Sequence, residues 1–321
     1  MPDLATEAMP ELDAQYRALR EECGLLDRSD RGKIKVKGSE AAEYLQGQIT
    51  NEVETLEVAQ GVYAALLDRK GHMRADMRVL NLGPHGLWID TEAPALAAVF
   101  SHLDMYKVGR DATVEDVTAD FAILSLIGPA SYDVAGIGPL SPEHSQHFFQ
   151  RDGIDVLAAG TDLGVDFIVM ASDRDGLHGS LKNGGAAPVS LEAAEIVRVE
   201  SGRPRFGLDM TGSTMPAEAG LEERAVNFEK GCYIGQETVA RLHYKGKPNR
   251  HLRGLELSAP AAHGDPLVLG EKQVGTIGTA CVSPANGPIA LAIVRREAEP
   301  GSTLTVGNEG VSARVVDLPF G

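Results

Sequence analysis

The chain has 321 residues, which is long enough for two or three compact units with large buried cores. Its hydrophobic content of 43% and charged content of 24% are typical of a globular protein, and its formal net charge is −16. That charge argues against a protein that coats nucleic acid or an anionic membrane, although it leaves room for a local basic pocket.

The sequence patterns indicate neither export nor membrane insertion. Residues Met1 to Arg20 are polar and acidic, and no stretch approaches the roughly 18 apolar residues that span a bilayer. Cys23, Cys232 and Cys281 are widely spaced, without a CxxC pair or a Cys/His cluster of zinc-ligand spacing. We therefore expect free thiols, no metal site, and a cytoplasmic protein without membrane or direct nucleic-acid partners.

The first third of the chain predicts a strand, a helix and a hairpin. Residues Gly32–Lys37 alternate lysine with apolar residues, as a half-exposed strand does. Ser39 offers an N-cap to the helix that follows. The apolar runs Tyr63–Leu67 and Met77–Leu80 flank Asp68–Gly71, whose composition suits a turn, so we expect a hairpin.

The middle of the chain mixes helices with further strands. Apolar residues at helical spacing predict one helix entered at Pro94 and a second over Ser190–Ser201, which Gly202 ends. Further strands are predicted at Leu87–Asp90, Ala112–Val114, Phe121–Ile127 and Asp166–Met170.

The character of the chain changes near residue 245. Lys245–Asn249 has the composition of a linker. Short predicted strands follow, separated by Gly, Pro and Asn turns, at Leu252–Leu257, Val274–Ile277, Ile289–Val294 and Ser312–Val316. These indicate a small all-β barrel or sandwich. No regular βαβ alternation, GxGxxG or GxxxxGK[ST] occurs, so the fold class is predicted to be α+β with a β-rich C-terminal domain.

The octapeptide Lys230–Glu237 is the most informative motif. Cys232 lies between a preceding Lys-Gly pair and a later glycine, just before a helix predicted from Gln236 to about His243. The positive end of the helix dipole and the nearby ammonium both favour the thiolate, and the glycines allow a sharp turn and a close approach. The alternative is that Cys232 is one more small buried apolar residue. Cys23 and Cys281 lack the flanking lysine and glycine, and we interpret them as structural.

The octapeptide, with Thr238–Arg241 after it, resembles the signature of the YgfZ family, relatives of the glycine-cleavage T-protein. Four other stretches resemble the same family in the same order: Tyr44–Asn51, Arg198–Pro204, Pro216–Leu221 and Asp317–Phe320. The resemblance therefore extends from about residue 20 to the C-terminus.

This resemblance implies a folate-binding, GcvT-like α+β core of two interleaved subdomains over residues 1–244. A C-terminal β-barrel domain over residues 245–321 would complete the protein. The core is expected to surround a cleft for tetrahydrofolate or a one-carbon derivative. YgfZ-like proteins support assembly or repair of iron–sulfur clusters in client enzymes, so those clients or assembly proteins are the expected partners.

The resemblance to the T-protein implies a chemical role for two acidic residues. Glu200 resembles the T-protein glutamate that accepts hydrogen bonds from the pterin ring, and the alternative is an exposed carboxylate near a helix C-terminus, where the dipole disfavours it. Asp76 lies near the position of the T-protein catalytic acid, but its surroundings, His72–Met77, depart from that pattern. Asp76 could equally be a solvated strand residue beside arginines.

The remaining candidate residues belong to the octapeptide and its helix. We expect Cys232 and Asp76 to carry the chemistry and Glu200 to join a folate-binding set drawn from the octapeptide region: Lys230, Gly231, Tyr233, Gly235, Gln236, Glu237 and Arg241. Lys230 and Arg241 are suited to the carboxylates of a folate glutamyl tail, although a solvated helix face also accounts for Arg241.

Three functions are consistent with these residues. The preferred one is a tetrahydrofolate-binding iron–sulfur maintenance factor in which Cys232 is the functional thiol. The second is an aminomethyltransferase that moves a one-carbon unit to tetrahydrofolate, with Asp76 as its acid. The third is a folate-binding scaffold whose octapeptide only docks a partner. Whether the protein is an enzyme is left open by the sequence.

Overall fold

The computed structural model describes residues 11–307 and 310–321. The chain divides into two compact units, each assembled from separated stretches. Unit 1 comprises Met1–Ser29, Ala119–Glu143 and His147–Val197, and unit 2 comprises Asp30–Thr118, His144–Gln146 and Arg198–Gly321. The expected absence of a signal peptide in Met1 to Arg20 falls partly on residues outside the described ones, and the boundary between residues 244 and 245 stays a prediction.

The described elements are as follows. The helices are α1 (Leu12–Glu21), α2 (Ala41–Gln46), α3 (Leu96–Tyr106), α4 (Ser131–Ala135), α5 (Arg174–Asn183), α6 (Leu191–Glu200), α7 (Glu222–Ala225) and α8 (Gln236–Lys245). The strands are β1 (Gly24–Asp27), β2 (Gly32–Lys37), β3 (Gly61–Leu67), β4 (Met73–Asn81), β5 (Leu87–Thr91), β6 (Thr113–Asp116), β7 (Phe121–Ile127), β8 (Gln146–Arg151), β9 (Ile154–Thr161), β10 (Gly164–Met170), β11 (Ala187–Pro188), β12 (Arg250–Leu257), β13 (Pro266–Leu269), β14 (Lys272–Ser283), β15 (Gly287–Arg295), β16 (Thr303–Val306) and β17 (Val311–Val316).

Unit 1 is built on a sheet with strand order β11-β1-β7-β10-β9-β8. Its central strand β7 has the predicted bounds, and its five inner residues are all buried, which is why it reads as an apolar run interrupted only by Ser125. Apolar side chains of the sheet pack with Leu177 and Leu181 of α5. The helix predicted over Ser190–Ser201 is confirmed as α6.

Unit 2 contains an antiparallel sheet of order β3-β4-β5-β2-β6. Because side chains alternate along a strand, β4 sends Met77 and Val79 into a core shared with α2 and α3, and Asp76 and Arg78 to the opposite face. The hairpin of β3 and β4 is confirmed, with Tyr63 opposite Arg78. A second core, formed by β3, β4 and the segment from Met210 to Val239, covers part of that opposite face.

The C-terminal strands of unit 2 close into an antiparallel barrel of order β12-β15-β14-β13-β16-β17. Apolar residues alternate inward along each strand, and the interior is filled by side chains such as Leu255, Leu267 and Val315. The predicted α+β class with a C-terminal all-β barrel is therefore confirmed. Among the described residues, no helix is both long and apolar enough to cross a bilayer.

The predicted N-cap at Ser39 is wrong. Helix α2 begins at Ala41 and is preceded by Glu40, whose side chain makes no capping hydrogen bond. The Ser39 hydroxyl instead donates to Asp111 Oδ2 at 2.6 Å, and the Ser39 backbone N–H donates to the same oxygen at 3.0 Å. The Asp111 carboxylate, which comes from a distant loop, is a strong charged acceptor. Ser39 therefore bonds to it instead of to the backbone at the start of α2.

Candidate functional site

Asp76 lies inside unit 2 with one of its two carboxylate oxygens unsatisfied. The Tyr63 hydroxyl donates to Asp76 Oδ2 at 2.6 Å, while the buried Oδ1 has no hydrogen-bond partner among the described residues. Asp76 is 8% exposed, so the alternative of a solvated strand residue is wrong. Burial raises the pKa of the Asp76 carboxyl, although the hydrogen bond from Tyr63 opposes the shift. A carboxyl with a raised pKa and one oxygen without a partner is suited to exchange a proton with a ligand.

A second buried carboxylate, Asp90, is fully paired and stays ionised. Arg78 Nε donates to Asp90 Oδ2 at 2.8 Å, and Arg31 Nε donates to Asp90 Oδ1 at 2.9 Å. Burial alone would raise its pKa, but the two guanidinium groups hold the pKa of Asp90 well below its usual range. Asp90 is thus a structural charge, in contrast to the half-satisfied Asp76.

Further charges extend this network. Arg31 also pairs with Glu92, and Arg205 Nε lies 3.5 Å from Glu92 Oε2. The guanidinium carbon of Arg224 lies 5.1 Å from the centre of the Tyr63 ring. Arg31, Arg78 and Arg205 are therefore each paired with a carboxylate of this network.

The octapeptide forms a turn seated on the β3–β4 hairpin. Gly235 has φ +87° and is the N-cap of α8, as expected of a glycine in the left-handed region. A Cβ on Gly235 would lie 2.5 Å from the backbone oxygen of Asp68 and 3.3 Å from Gly71 Cα. The close approach of these two turns therefore requires a glycine at residue 235. The predicted helix after the octapeptide is confirmed as α8.

The Lys230 side chain clamps the octapeptide to the loop after α2. Its Nζ donates to the backbone oxygens of Gln46, Ile49 and Asn51 at 2.7, 2.8 and 2.7 Å. Burial lowers the pKa of Lys230 to about 8, so at pH 7 the ammonium still supplies three N–H donors for three acceptors. In this arrangement no donor is left for a ligand, and a direct contact with a folate tail stays a prediction that would require the loop to open.

The same loop is also hydrogen-bonded to the stretch of chain just before the octapeptide. The Thr50 hydroxyl donates to the backbone oxygen of Ala225, and the Asn227 N–H donates to the backbone oxygen of Thr50 at 3.0 Å. Asn51 Nδ2 bridges the backbone oxygens of Tyr63 and Arg224 at 2.9 and 3.1 Å. The structure thus brings together two stretches, Tyr44–Asn51 and the octapeptide, and links both to the Tyr63 strand.

Tyr233 points inward, under the Lys230 ammonium, which lies 5.4 Å from the ring centre. It is 7% exposed, and its hydroxyl has no hydrogen-bond partner among the described residues. Burial, and then the nearby Glu222 carboxylate, raise the pKa of Tyr233 to about 12. The predicted role of Tyr233 in folate binding stays a prediction.

Cys232 lies on the surface of the octapeptide turn. It is exposed, as is its neighbour Gly231, so the alternative of a small buried residue is wrong for Cys232. Gln236 is half-buried at the start of α8, and Glu237 and Arg241 are exposed on it. Their assignment to a folate site stays a prediction. Cys23 is buried, and burial raises the pKa of its thiol to about 11.

Glu200 lies at the end of α6 and contacts the C-terminal barrel. It is 3% exposed, so the alternative of an exposed carboxylate is wrong. Its Oε1 accepts a hydrogen bond from the Ser283 hydroxyl, and Asn286 Nδ2 lies 3.5 Å away. The Phe320 N–H donates to the Glu200 backbone oxygen at 2.9 Å. The stretches Arg198–Pro204 and Asp317–Phe320 therefore meet.

Sequence reasoning missed Tyr63, Asp90 and Arg224 as members of this site. The available signal was Asp76 and Arg78, two residues apart inside an otherwise apolar strand, which marks one polar face. That pattern does not reveal which residues of the neighbouring strands oppose it, because the register is set by the folded hairpin.

The matches to protein families cover both ends of the chain. Residues 5–146 match the GCVT N-terminal domain, and residues 250–320 match the glycine cleavage T-protein C-terminal barrel domain. The chain has the GcvT-like fold. Asp76, Tyr63 and the loop that Lys230 clamps lie in the first matched region, whereas Glu200 and the octapeptide lie outside both of these regions.

Relatives and a solved structure agree with this fold. An aminomethyltransferase of Rubrobacter xylanophilus is 28% identical over 321 aligned residues, covering 96% of this chain and 86% of the relative. An aminomethyltransferase of Saccharopolyspora erythraea is 28% identical, covering 96% of this chain and 89% of the relative. The crystal structure of glycine cleavage system aminomethyltransferase T from Bartonella henselae matches with a TM-score of 0.85 at 23% identity, covering 97% of this chain and 89% of that one.

These comparisons confirm the predicted GcvT-like core with a C-terminal barrel. The relatives are named aminomethyltransferases, which is the second of the three functions that the sequence allows. The finer resemblance to the YgfZ family depends on the octapeptide.

Proposed function

We propose that the protein binds tetrahydrofolate or a one-carbon derivative and transfers a one-carbon unit, as an aminomethyltransferase does. The GcvT-like fold and the names of the relatives support the ligand class. The observation that carries the proposal is the unsatisfied, buried Oδ1 of Asp76, in a carboxyl whose pKa burial raises.

The residues of unit 2 suit this chemistry. Tetrahydrofolate would supply the nitrogen that accepts the one-carbon unit. Tyr63 fixes one carboxylate oxygen of Asp76, so the other oxygen is presented in a defined direction and can accept a hydrogen bond or a proton from an N–H group. Asp90 stays ionised between Arg31 and Arg78 and keeps these guanidinium groups in place beside Asp76.

Glu200 is the proposed pterin ligand of this function. Its Oε1 already accepts hydrogen bonds from Ser283 and Asn286, so a pterin contact would add to these bonds or replace one of them. The buried position supports a role beyond surface charge, because a buried carboxylate requires partners.

Two assays test the proposal. Calorimetric titration with tetrahydrofolate and its 5-formyl form should give saturable binding to the full-length protein. An aminomethylated lipoyl carrier with tetrahydrofolate should then give turnover that is lost in Asp76→Asn while folate binding is retained. Absence of folate binding would overturn the proposal. Folate binding without turnover would support the ligand and contradict the one-carbon transfer.

A second candidate function rests on a different observation. Cys232 is exposed on a turn that Lys230 and Gly235 hold in place, in an octapeptide that resembles the YgfZ signature and lies outside the two matched regions. These features support a folate-binding protein that maintains iron–sulfur clusters through this thiol, with client enzymes or assembly proteins as partners.

Genetic complementation separates the two functions. A strain lacking the gene would receive the wild type, Cys232→Ala or Asp76→Ala, and the activity of iron–sulfur enzymes would be measured under oxidative stress. Failure of Cys232→Ala together with rescue by Asp76→Ala would favour cluster maintenance. The opposite pattern, together with turnover in the carrier assay, would favour one-carbon transfer.

A further inference from the structure

A cavity of about 470 Å³ lies in unit 2 beside the β3–β4 turn and the octapeptide. Its apolar lining comes from Leu67, Ile234 and Tyr106, and its polar lining includes Arg69, Arg74 and His102. The volume falls within the usual range for small-molecule sites, roughly 300–1,000 Å³. Asp76, Tyr63 and Glu200 are not among its lining residues.

Two arginines give this cavity its charge. Arg69 and Arg74 are exposed, and no hydrogen bond or ion pair joins either guanidinium to another of the described residues. The one carboxylate in the lining, Asp68, is engaged by its own turn: its Oδ1 accepts from the backbone N–H groups of Lys70 and His72 at 2.8 and 2.9 Å. The cavity lining therefore carries two positive charges and one negative charge, and the negative one is already hydrogen-bonded within its turn. This local positive charge stands out in a chain whose net charge is −16.

His102 adds an unsatisfied acceptor. It is 5% exposed, its Nε2 lies 3.0 Å from Gln48 Oε1, and its buried Nδ1 has no hydrogen-bond partner among the described residues. Because Gln48 Oε1 can only accept, Nε2 carries the proton and Nδ1 carries a lone pair. Burial and then Arg74 lower the pKa of His102 to about 4, which keeps the imidazole neutral at pH 7.

We propose that this cavity binds a small organic anion, with its carboxylate or phosphate against Arg69 and Arg74 and its apolar body against Leu67, Ile234 and Tyr106. A hydroxyl or amine on the same ligand donates to His102 Nδ1. Guanidinium groups suit either anion because both offer paired oxygens. The site is independent of the folate proposal, and Ile234 places it next to the turn that carries Cys232.

Four probes test the class of ligand on the full-length protein by ligand-observed NMR: 4-hydroxybenzoate, benzoate, phenyl phosphate and phenol. The anions should bind at least about tenfold more tightly than neutral phenol, since a charge-assisted contact of about 1.5–3 kcal/mol corresponds to that factor or more. Benzoate and phenyl phosphate distinguish a carboxylate from a phosphate. The 4-hydroxybenzoate preference over benzoate should disappear in His102→Phe.

The decisive variant is the double substitution R69A/R74A, with R295A/R296A on exposed barrel arginines as the control of equal charge. We expect the first to weaken binding of the anions at least about tenfold and the second to leave it unchanged. Equal affinities in the two variants, or no binding of any of the three anions, would overturn the proposal.

Two further measurements keep the test independent of folding and of folate. Phenylglyoxal labelling of wild type, read by mass spectrometry, should modify Arg69 and Arg74 less in the presence of the bound anion. Binding of the anion should persist with excess 5-formyltetrahydrofolate, and R69A/R74A should bind that folate as wild type does. Displacement of the anion by the folate would assign it to the folate site and overturn the proposal, whereas failure of the folate to bind would affect only the proposed function.

Discussion

Tyr63 and Asp76 form a partly buried hydrogen bond that satisfies one carboxylate oxygen and leaves the other without a partner among the described residues. The tyrosine hydroxyl lies 2.6 Å from Oδ2, and Oδ1 is buried. Burial also raises the pKa of Tyr63 well above its usual value, with Asp76 adding to the effect, so the phenol stays a donor throughout the physiological range. Unsatisfied buried polar atoms cost stability and are retained mainly where function uses them.

Asp76→Asn should therefore stabilise the protein while abolishing transfer. Because the folded pKa of Asp76 is raised, the folded state binds more protons than the unfolded state, and wild-type stability falls as pH rises from the unfolded value through the folded one. Asparagine does not ionise, so at pH 7 we expect a gain of about 0.5–2 kcal/mol in urea unfolding. Asn in place of the exposed Asp133 of α4 (Asp133→Asn) is the control, and a loss of stability in Asp76→Asn would contradict this expectation.

Asp90 should show the opposite dependence on pH. Its folded pKa is depressed by Arg78 and Arg31, so its contribution is complete above the unfolded value near 4 and is lost as pH falls further. Asp90→Asn removes one partner of a buried pair and should cost about 3–5 kcal/mol at pH 7. The difference in the free energy of unfolding between variant and wild type should shrink from pH 7 down to pH 2, and a constant difference would argue against the pairing.

Local sequence patterns predicted an element correctly where the folded environment favours the same structure as the local sequence does. The β3–β4 hairpin was predictable because two apolar runs flank good turn residues, and β7 because it is buried on both faces. The Ser39 cap failed because Asp111, 72 residues later, competes for the serine. No local pattern contains that information.

The candidate site shows the same limit. The sequence indicated that Lys230 is special, but it could not show that the ammonium is enclosed by three carbonyls about 180 residues earlier. Asp76 was recognised as a candidate, but neither its burial nor its hydrogen bond to Tyr63 on the neighbouring strand could be read from the sequence. Both facts follow from long-range packing, which periodicity does not encode.

Gly231 and Gly235 form a matched pair for testing the octapeptide turn. Gly235→Ala places a Cβ 2.5 Å from a backbone oxygen at φ +87°, so we expect a loss of at least about 1–3 kcal/mol. A Cβ on Gly231 meets no atom within 4 Å, so Gly231→Ala should leave the free energy of unfolding unchanged. A stable Gly231→Ala protein that fails in complementation would indicate that a ligand or partner approaches this glycine closely. Equal stability of the two variants would contradict the described turn.

Lys230→Met should loosen the loop over residues 46–51. Methionine keeps most of the length but donates no hydrogen bond, which leaves three carbonyl acceptors without their partner. We expect a loss of about 1.5–3 kcal/mol in unfolding and faster hydrogen exchange in that loop. Lys245→Met at the exposed end of α8 is the control. Unchanged exchange in the loop would show that the clamp is not formed in solution.

Glu200→Gln separates a pterin contact from a structural one. The amide keeps an oxygen to accept from Ser283, so the contact with the barrel survives, but the negative charge that favours a pterin N–H edge is lost. We expect an unchanged free energy of unfolding and roughly ten- to a hundredfold weaker binding of tetrahydrofolate by calorimetry. Ser283→Ala is the converse variant, because it removes a barrel contact and leaves the carboxylate. If Ser283→Ala weakens folate binding as much as Glu200→Gln, or if Glu200→Gln binds folate normally, Glu200 acts in this protein through the barrel and not through the pterin.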